Sequence, residues 1–117
     1  QYPKTYKECC EVLSLNSERA TWGIEGLEYK RRLIVCFQRL LICRDAYWKL
    51  AGDWKPDWKN DEDGCNVVKF CIKNFDAEIV RIETLESNTI LAFPTKEMRD
   101  AFYENFKELI ELVKELL

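Results

Sequence analysis

Trp54-Lys55-Pro56-Asp57-Trp58, which we refer to as the Trp block, is the stretch that divides this chain. Two indoles flank a Lys-Pro-Asp turn, and the segment has neither helical nor strand periodicity. Before it lies an aromatic-rich half with helical spacing. After it lie short runs with strand-like alternation and then a final amphipathic stretch. The Trp block therefore marks the connection between two structurally different halves.

The first half predicts two helices. Thr5 and Glu8 have the spacing of a capping box, which favours a short helix over 5–13. From about residue 27 to residue 50, apolar residues recur with a helical period over much of the helix circumference. We expect this second helix to be central and to end at Gly52.

The second half predicts three strands and one helix. Runs at 67–73, 78–85 and 89–93 have strand character, and in the second run Val80 and Ile82 alternate with charged residues. Short connections between consecutive strands predict an antiparallel meander. Thr95 is the expected N-cap of a last helix that continues to residue 117.

These elements predict an α+β fold in a single domain over residues 1–117. Two N-terminal helices and one C-terminal helix are expected to pack on a three-stranded antiparallel sheet. A chain of 117 residues with 47% hydrophobic and 33% charged residues is typical of one globular domain.

Charge and hydropathy narrow the classes of partner. The net charge of −3 disfavours duplex nucleic acid as the main partner, because neutralising phosphates requires an excess of Lys and Arg. No run of 18 apolar residues is present, so we expect no membrane-spanning segment.

The chain contains six cysteines and no histidine. No C-x-x-C pair is present and the commonest general base is missing, so we assign no metal site, no cofactor and no catalytic residue. Thiols that act as small hydrophobic side chains in a reducing cytosol are the favoured interpretation. The even number of cysteines leaves an extracellular disulfide framework open. An acidic cluster at Asp57, Asp61, Glu62 and Asp63 favours a solvated turn over a cation site.

The Trp block itself has two interpretations. In the structural one, Trp54 and Trp58 fill the gap between the long helix and the sheet. In the functional one, at least one indole faces a partner, since Trp, Tyr and Arg are enriched at interface hot spots. The candidate binding residues are Arg44, Tyr47, Trp48, Trp54, Lys55, Asp57 and Trp58.

Three segments of this chain together carry a resemblance to a known group of proteins. They are Thr5-Tyr6-Lys7-Glu8-Cys9-Cys10, the Trp block, and the run from Leu91 through Pro94-Thr95 to Phe102. In this combination the chain resembles a family of short uncharacterised proteins encoded by phages and prophages of gut Bacteroidales. The resemblance covers nearly the whole chain, and the Trp block is its most specific part. The chain departs from the family pattern at Asp53, where relatives often carry Gly, and in its short segment after the block.

The resemblance implies a phage-related context and transfers no catalytic residue. We therefore expect a non-enzymatic phage or mobile-element accessory protein that acts by protein–protein contact, by modulating a host factor or by assembling with itself or a virion component. The expected location is the cytoplasm of the bacterial host cell or the virion.

The alternative is a single-stranded nucleic-acid-binding protein. It would stack bases on Trp54, Trp58 or Tyr47 and place Lys55, Lys59 and Arg44 on the backbone. A small enzyme with a carboxylate or thiol catalyst is a third hypothesis.

Overall fold

The computed structural model of the chain describes residues 1–18, 28–58, 67–85 and 88–117, and for residues 28–30 it describes the backbone alone. Within these ranges, the helices and strands follow one another as α1 (Tyr6–Val12), α2 (Glu28–Leu50), β1 (Lys69–Phe75), β2 (Glu78–Thr84), β3 (Leu91–Phe93), α3 (Lys96–Asn105), α4 (Lys107–Leu112) and a 3₁₀ turn (Lys114–Leu116). The predicted α+β class is confirmed: helices pack on a three-stranded antiparallel sheet.

The predicted starts of the first and last helices are confirmed by capping contacts at Thr5 and Thr95. The Thr5 hydroxyl accepts a 3.1 Å hydrogen bond from the backbone N–H of Glu8. The Thr95 hydroxyl accepts a 3.1 Å bond from the backbone N–H of Met98. Each bond satisfies an N–H that a helix start would otherwise leave unpaired. Gly52 follows α2 with φ of +79°, a conformation that glycine adopts without steric cost.

The order of the strands is β2-β1-β3, so the predicted meander is wrong. β3 pairs antiparallel with β1, with Phe70 opposite Phe93 and Ile72 opposite Leu91. All three residues of β3 are buried, whereas exposed residues recur along β2. The central position beside both neighbours therefore belongs to β1, and the charged β2 lies at an edge, where charge also opposes pairing with other chains.

A two-residue turn joins β1 to β2. Both of its residues lie in the left-handed region, with φ of 54° at Asp76 and 67° at Ala77. Positive φ at both central positions matches the right-handed twist of the paired strands, which is why such turns favour hairpins. The turn sets the register in which Phe75 lies opposite Glu78.

The predicted last helix is interrupted at Phe106. This residue has φ of −123° and ψ of 26°, and it separates α3 from α4 although neither Pro nor Gly is nearby. Phe106 is only 6% exposed, and its ring lies 4.9 Å from that of Phe102 and 6.0 Å from that of Tyr47. The interruption turns α4 so that Ile110 also reaches the core.

The core lies between α2, the sheet and the α3–α4 segment. Tyr47 is near its centre, with edge-to-face ring contacts to Phe93 and Phe102 at 6.2 and 5.0 Å. Four of the five described cysteines are buried in the fold, as expected for small hydrophobic side chains, and all five are free thiols. They are Cys9, Cys10, Cys43 and Cys71; Cys36 is half-buried. Cys65 lies outside the described residues.

Candidate binding surface around the Trp block

The end of α2 turns the chain back on itself and places the first indole of the Trp block. After Gly52 and Asp53, both with positive φ, the backbone N–H of Trp54 donates a 3.1 Å hydrogen bond to the carbonyl of Trp48. This bond pairs a carbonyl of the last turn of α2 that the end of the helix would otherwise leave without an intrahelical partner. The Trp54 ring consequently meets the Trp48 ring edge to face, with centroids 5.6 Å apart.

Trp48 connects α2 to the sheet. Its indole Nε1 donates a 2.7 Å hydrogen bond to the carbonyl of Ala92 in β3. One face of the ring is covered by the guanidinium of Arg44, whose Cζ lies 4.1 Å from the ring centroid. A desolvated cation–π contact of this kind stabilises the pair by about 1–2 kcal/mol.

Arg44 is held by three further hydrogen bonds. Its Nε and one terminal nitrogen donate to Asp45 Oδ1 at 3.0 and 2.8 Å, and the other terminal nitrogen donates to the carbonyl of Ile90 at 3.2 Å. The side chain is 18% exposed. Three of the five N–H donors of Arg44 are therefore engaged in fixing the side chain beside Trp48 and β3.

The second indole of the block lies against a different strand. The Nζ of Lys69, the first residue of β1, lies 4.8 Å from the centroid of the Trp58 ring. Lys69 is only 3% exposed, whereas Trp54 and Trp58 are both half-buried. Between the two indoles, Lys55 and Asp57 are exposed. The part of the predicted site that faces solvent thus consists of two half-buried indoles and two opposite charges.

Tyr47, which the sequence placed among the candidate binding residues, does not lie on this solvent-facing surface. Its side chain is completely buried. The hydroxyl donates to the carbonyl of Pro3 and accepts from Asn105 Nδ2. Burial raises the pKa of Tyr47 to about 12, although the hydrogen bond from Asn105 lowers it in part. The helical period places residue 47 on the inner face of α2, one position away from Trp48 on the outer edge.

Comparisons with protein-family models, curated proteins and solved structures find no match to this chain.

The thiols of the core are poor candidates for nucleophiles. A hydrogen bond to Cys9, together with burial, raises the pKa of the Cys43 thiol far above its usual range. Burial also raises the pKa of Cys71, although a hydrogen bond with Thr89 partly opposes it. Because the thiolate is the reactive form, both environments suppress nucleophilic chemistry.

The described residues contain no group of three His, Cys, Asp or Glu side chains arranged to hold a metal ion. Of the acidic cluster noted in the sequence, Asp57 is described and exposed, while Asp61, Glu62 and Asp63 lie outside the described residues, as does Lys59. Among the described helices, none combines the length and apolar character needed to cross a bilayer.

Lys69 is the residue at this surface that the sequence analysis missed. The alternation of β1 could have indicated that Lys69 points inward, because Lys69 lies on the same face as Cys71, which is completely buried. A lysine at an inward register position is unusual, because lysine is almost never fully buried without a partner.

Proposed function

We propose that this protein is a non-enzymatic accessory protein that binds another protein through the exposed part of the Trp block. The observation that carries the proposal is that Trp54 and Trp58 remain half-buried beside exposed Lys55 and Asp57, whereas the aromatic rings at the centre of the core are completely buried, namely Tyr47, Phe93 and Phe102. Partly exposed tryptophans beside charged side chains are the composition typical of interface hot spots.

The indoles are also held rigidly, which favours binding. Trp48 is fixed by the Ala92 carbonyl and by Arg44, and Trp54 packs edge to face on Trp48. A rigid aromatic side chain loses little conformational entropy when a partner covers it, so more of the contact energy is retained as affinity.

A protein partner is favoured over single-stranded nucleic acid by the occupancy of the ring faces. Base stacking requires an open indole face. One face of Trp48 is covered by Arg44, the Trp58 ring is contacted by Lys69, and Tyr47 is buried. This occupancy of the ring faces favours a protein partner over stacked bases.

The resemblance to phage and prophage proteins supplies the biological setting of the proposal. In that setting the partner is a host factor that the protein modulates, or a component with which it assembles in the host cytoplasm or the virion.

A photo-crosslinking experiment tests the proposal. A photoreactive amino acid replaces Lys55 in the full chain, and a matched variant carries it at Lys7, which is exposed on α1. Both are irradiated in lysate of phage-infected Bacteroidales cells. We expect a discrete protein adduct from position 55, none of the same mass from position 7, and loss of the adduct when Trp58→Ala is added.

Two controls make the outcome decisive. Phe75→Ala removes an aromatic side chain that is 68% exposed away from the Trp block, and the adduct should persist. Circular dichroism establishes that each variant is folded. The proposal is wrong if folded Trp58→Ala keeps the adduct, or if the adduct at position 55 is nucleic acid and oligo-dT quenches the tryptophan fluorescence.

A further inference from the structure

We infer that β2 is a dimerisation strand, whose outer edge pairs antiparallel with β2 of a second copy of this chain. In the register that we assign, Arg81 lies opposite the partner subunit's Glu83. Such pairing would join the two sheets across a two-fold axis. The inference goes beyond the proposed function and does not rest on it, because it concerns the edge of the sheet and not the indoles of the Trp block.

The first observation is the position of β2 in the sheet. Among the described strands the order is β2-β1-β3, so β1 occupies one side of β2. Backbone N–H and C=O groups alternate between the two sides of an antiparallel strand. The two-residue turn makes Phe75 and Glu78 a hydrogen-bonded pair, and every second residue from Glu78 onward therefore bonds to β1. The groups of Ile79, Arg81 and Glu83 are directed to the other side, as a row that can pair with a further strand.

The second observation is the exposure of side chains along this edge. The side chain of Arg81 is 44% exposed, although it contacts Asp100 and the ring of Tyr103 in α3. Glu83 is exposed and Leu85 is 42% exposed. The contacts with α3 therefore leave the edge of β2 accessible, and a second strand can approach it.

The third observation is that the charges on β2 are complementary to those of a second copy in one register. Outward-directed residues pair with outward-directed residues, so two copies can shift only in steps of two residues. Registers centred on Arg81 or on Glu83 bring like charges together, which is unfavourable. The register centred on Ile82 places Arg81 opposite the partner subunit's Glu83. The two-fold symmetry then creates the same pair a second time, and opposite charges directly across a ladder are stabilising.

The other face of β2 fits the same register. Ile82 lies opposite Ile82 of the partner subunit, and Val80 lies opposite the partner's Thr84. These three residues are half-buried, so pairing removes more of their apolar surface from water. Pairs of β-branched side chains pack well across a sheet. The charges on β2 thus oppose pairing in other registers and favour this one, which is how repulsion contributes to the choice of a partner.

The unaltered full chain provides the first test. Sedimentation equilibrium measures the dissociation constant of the dimer, which we expect to be below about 1 mM. Amide hydrogen exchange is then compared by NMR at protein concentrations below and above this constant. The amides of Ile79, Arg81 and Glu83 should exchange at least threefold more slowly in the dimer, whereas the amide of Ile82, which bonds to β1, should change little. A chain that stays monomeric would overturn the inference, as would a dimer in which the three outward amides exchange as in the monomer.

Charge reversal then tests the register. Glu83→Arg and Arg81→Glu each place like charges opposite each other in both symmetric pairs, so each should weaken dimerisation at least about fivefold. A mixture of the two variants restores both pairs of opposite charge and should form a heterodimer about as tight as the unaltered dimer. The control Glu11→Arg makes the same change of charge at an exposed residue of α1, and it should alter the dissociation constant less than twofold.

Two results would contradict the assigned register. One is an unchanged dissociation constant in folded Glu83→Arg, and the other is a mixture that associates no more tightly than either variant alone. Circular dichroism establishes that each variant is folded. If loss of the contacts with Asp100 and Tyr103 prevents Arg81→Glu from folding, Glu83→Arg and the exchange measurements on the unaltered chain still decide the matter.

The dimer and the proposed function fail in different ways. If the chain stays monomeric but position 55 gives an adduct with another protein, the β2 dimer is wrong and protein binding at the Trp block stands. If the β2 amides are protected in a dimer but folded Trp58→Ala keeps the adduct, the proposed function is wrong and the dimer stands.

Discussion

The hydroxyl of Tyr47 in α2 donates a 2.8 Å hydrogen bond to the backbone carbonyl of Pro3, which lies 44 residues earlier in the chain. The same hydroxyl accepts a 2.9 Å bond from Asn105 Nδ2 of α3, and the Tyr2 ring stacks on Tyr47 at 5.3 Å. One buried oxygen thus ties the N-terminal segment to the centre of the core, beneath the end of α2 that carries Trp48.

Removing that oxygen should destabilise the fold. Tyr47→Phe leaves the Pro3 carbonyl and the Asn105 amide without this partner, which costs about 1–3 kcal/mol of the free energy of unfolding. Urea denaturation followed by circular dichroism measures the loss. In the matched control Tyr103→Phe, the hydroxyl is removed from a half-buried ring of α3. That change should cost less than about 0.5 kcal/mol. Equal losses of stability in both variants would show that the hydrogen bonds of the Tyr47 hydroxyl contribute no more than an ordinary half-buried hydroxyl.

The same hydroxyl predicts how stability depends on alkaline pH. The pKa of Tyr47 is raised from 10.0 to about 12 in the folded chain, chiefly by burial. The folded state therefore holds this proton where the unfolded state releases it, and the contribution to stability is complete below pH 10 and disappears as the pH rises through 12. A shift of this size corresponds to about 2–3 kcal/mol.

The measurement compares the unaltered chain with Tyr47→Phe between pH 9 and pH 12. Lysines, cysteines and other tyrosines titrate in both proteins, so the difference between the two curves isolates Tyr47. We expect the stability advantage of the unaltered chain to shrink across this range. A constant difference would mean that the hydroxyl titrates normally.

The indole N–H of Trp48 should also contribute measurably to stability. Trp48→Phe removes the donor to the Ala92 carbonyl and weakens the contact with Arg44, at a cost of about 2 kcal/mol. Trp54→Phe is the control. Trp54 contacts Trp48 ring to ring, and a phenyl ring preserves part of that contact. It should lose less than half as much in the same urea experiment. A larger loss of stability for Trp54→Phe than for Trp48→Phe would show that Trp54 of the Trp block, and not Trp48 of α2, makes the larger contribution to stability.

The cysteines should differ sharply in their reactivity towards a thiol reagent. In a Cys65→Ser background, Cys36 is half-buried while Cys9, Cys10, Cys43 and Cys71 are at most 1% exposed. We expect Cys36 to react at least about tenfold faster than the others in the folded chain, because access and thiolate formation both limit the buried thiols. Cys36→Ser should remove the fast phase. In denaturant the unaltered chain should titrate six thiols, and fewer would support the disulfide framework.

The features that could be predicted from the sequence are those set by neighbours in the chain. The Thr5 cap, the Thr95 cap and the stop at Gly52 each depend on residues within one helical turn. The alternation of Val80 and Ile82 with charged residues likewise depends only on the period of a strand.

The features that were missed depend on contacts between distant residues. Nothing local distinguishes pairing of β3 with β1 from pairing with β2; burial of all of β3 decides it. The interruption at Phe106 has no local signal either, since it arises from packing of that ring on Tyr47. For the candidate surface, the residue types were recognised, but helix periodicity alone did not separate buried Tyr47 from half-buried Trp48.

Ala77 in the turn between β1 and β2 bears on the evolutionary history of the chain. An alanine with φ of 67° occupies a conformation that costs an L-residue about 1–2 kcal/mol and costs glycine almost nothing. A single nucleotide change in the codon would replace alanine with glycine and recover part of this energy. The chain carries alanine although glycine at this position would stabilise the fold. This is consistent with selection for adequate and not maximal stability, and the stability that glycine would add can offset the cost of new surface residues.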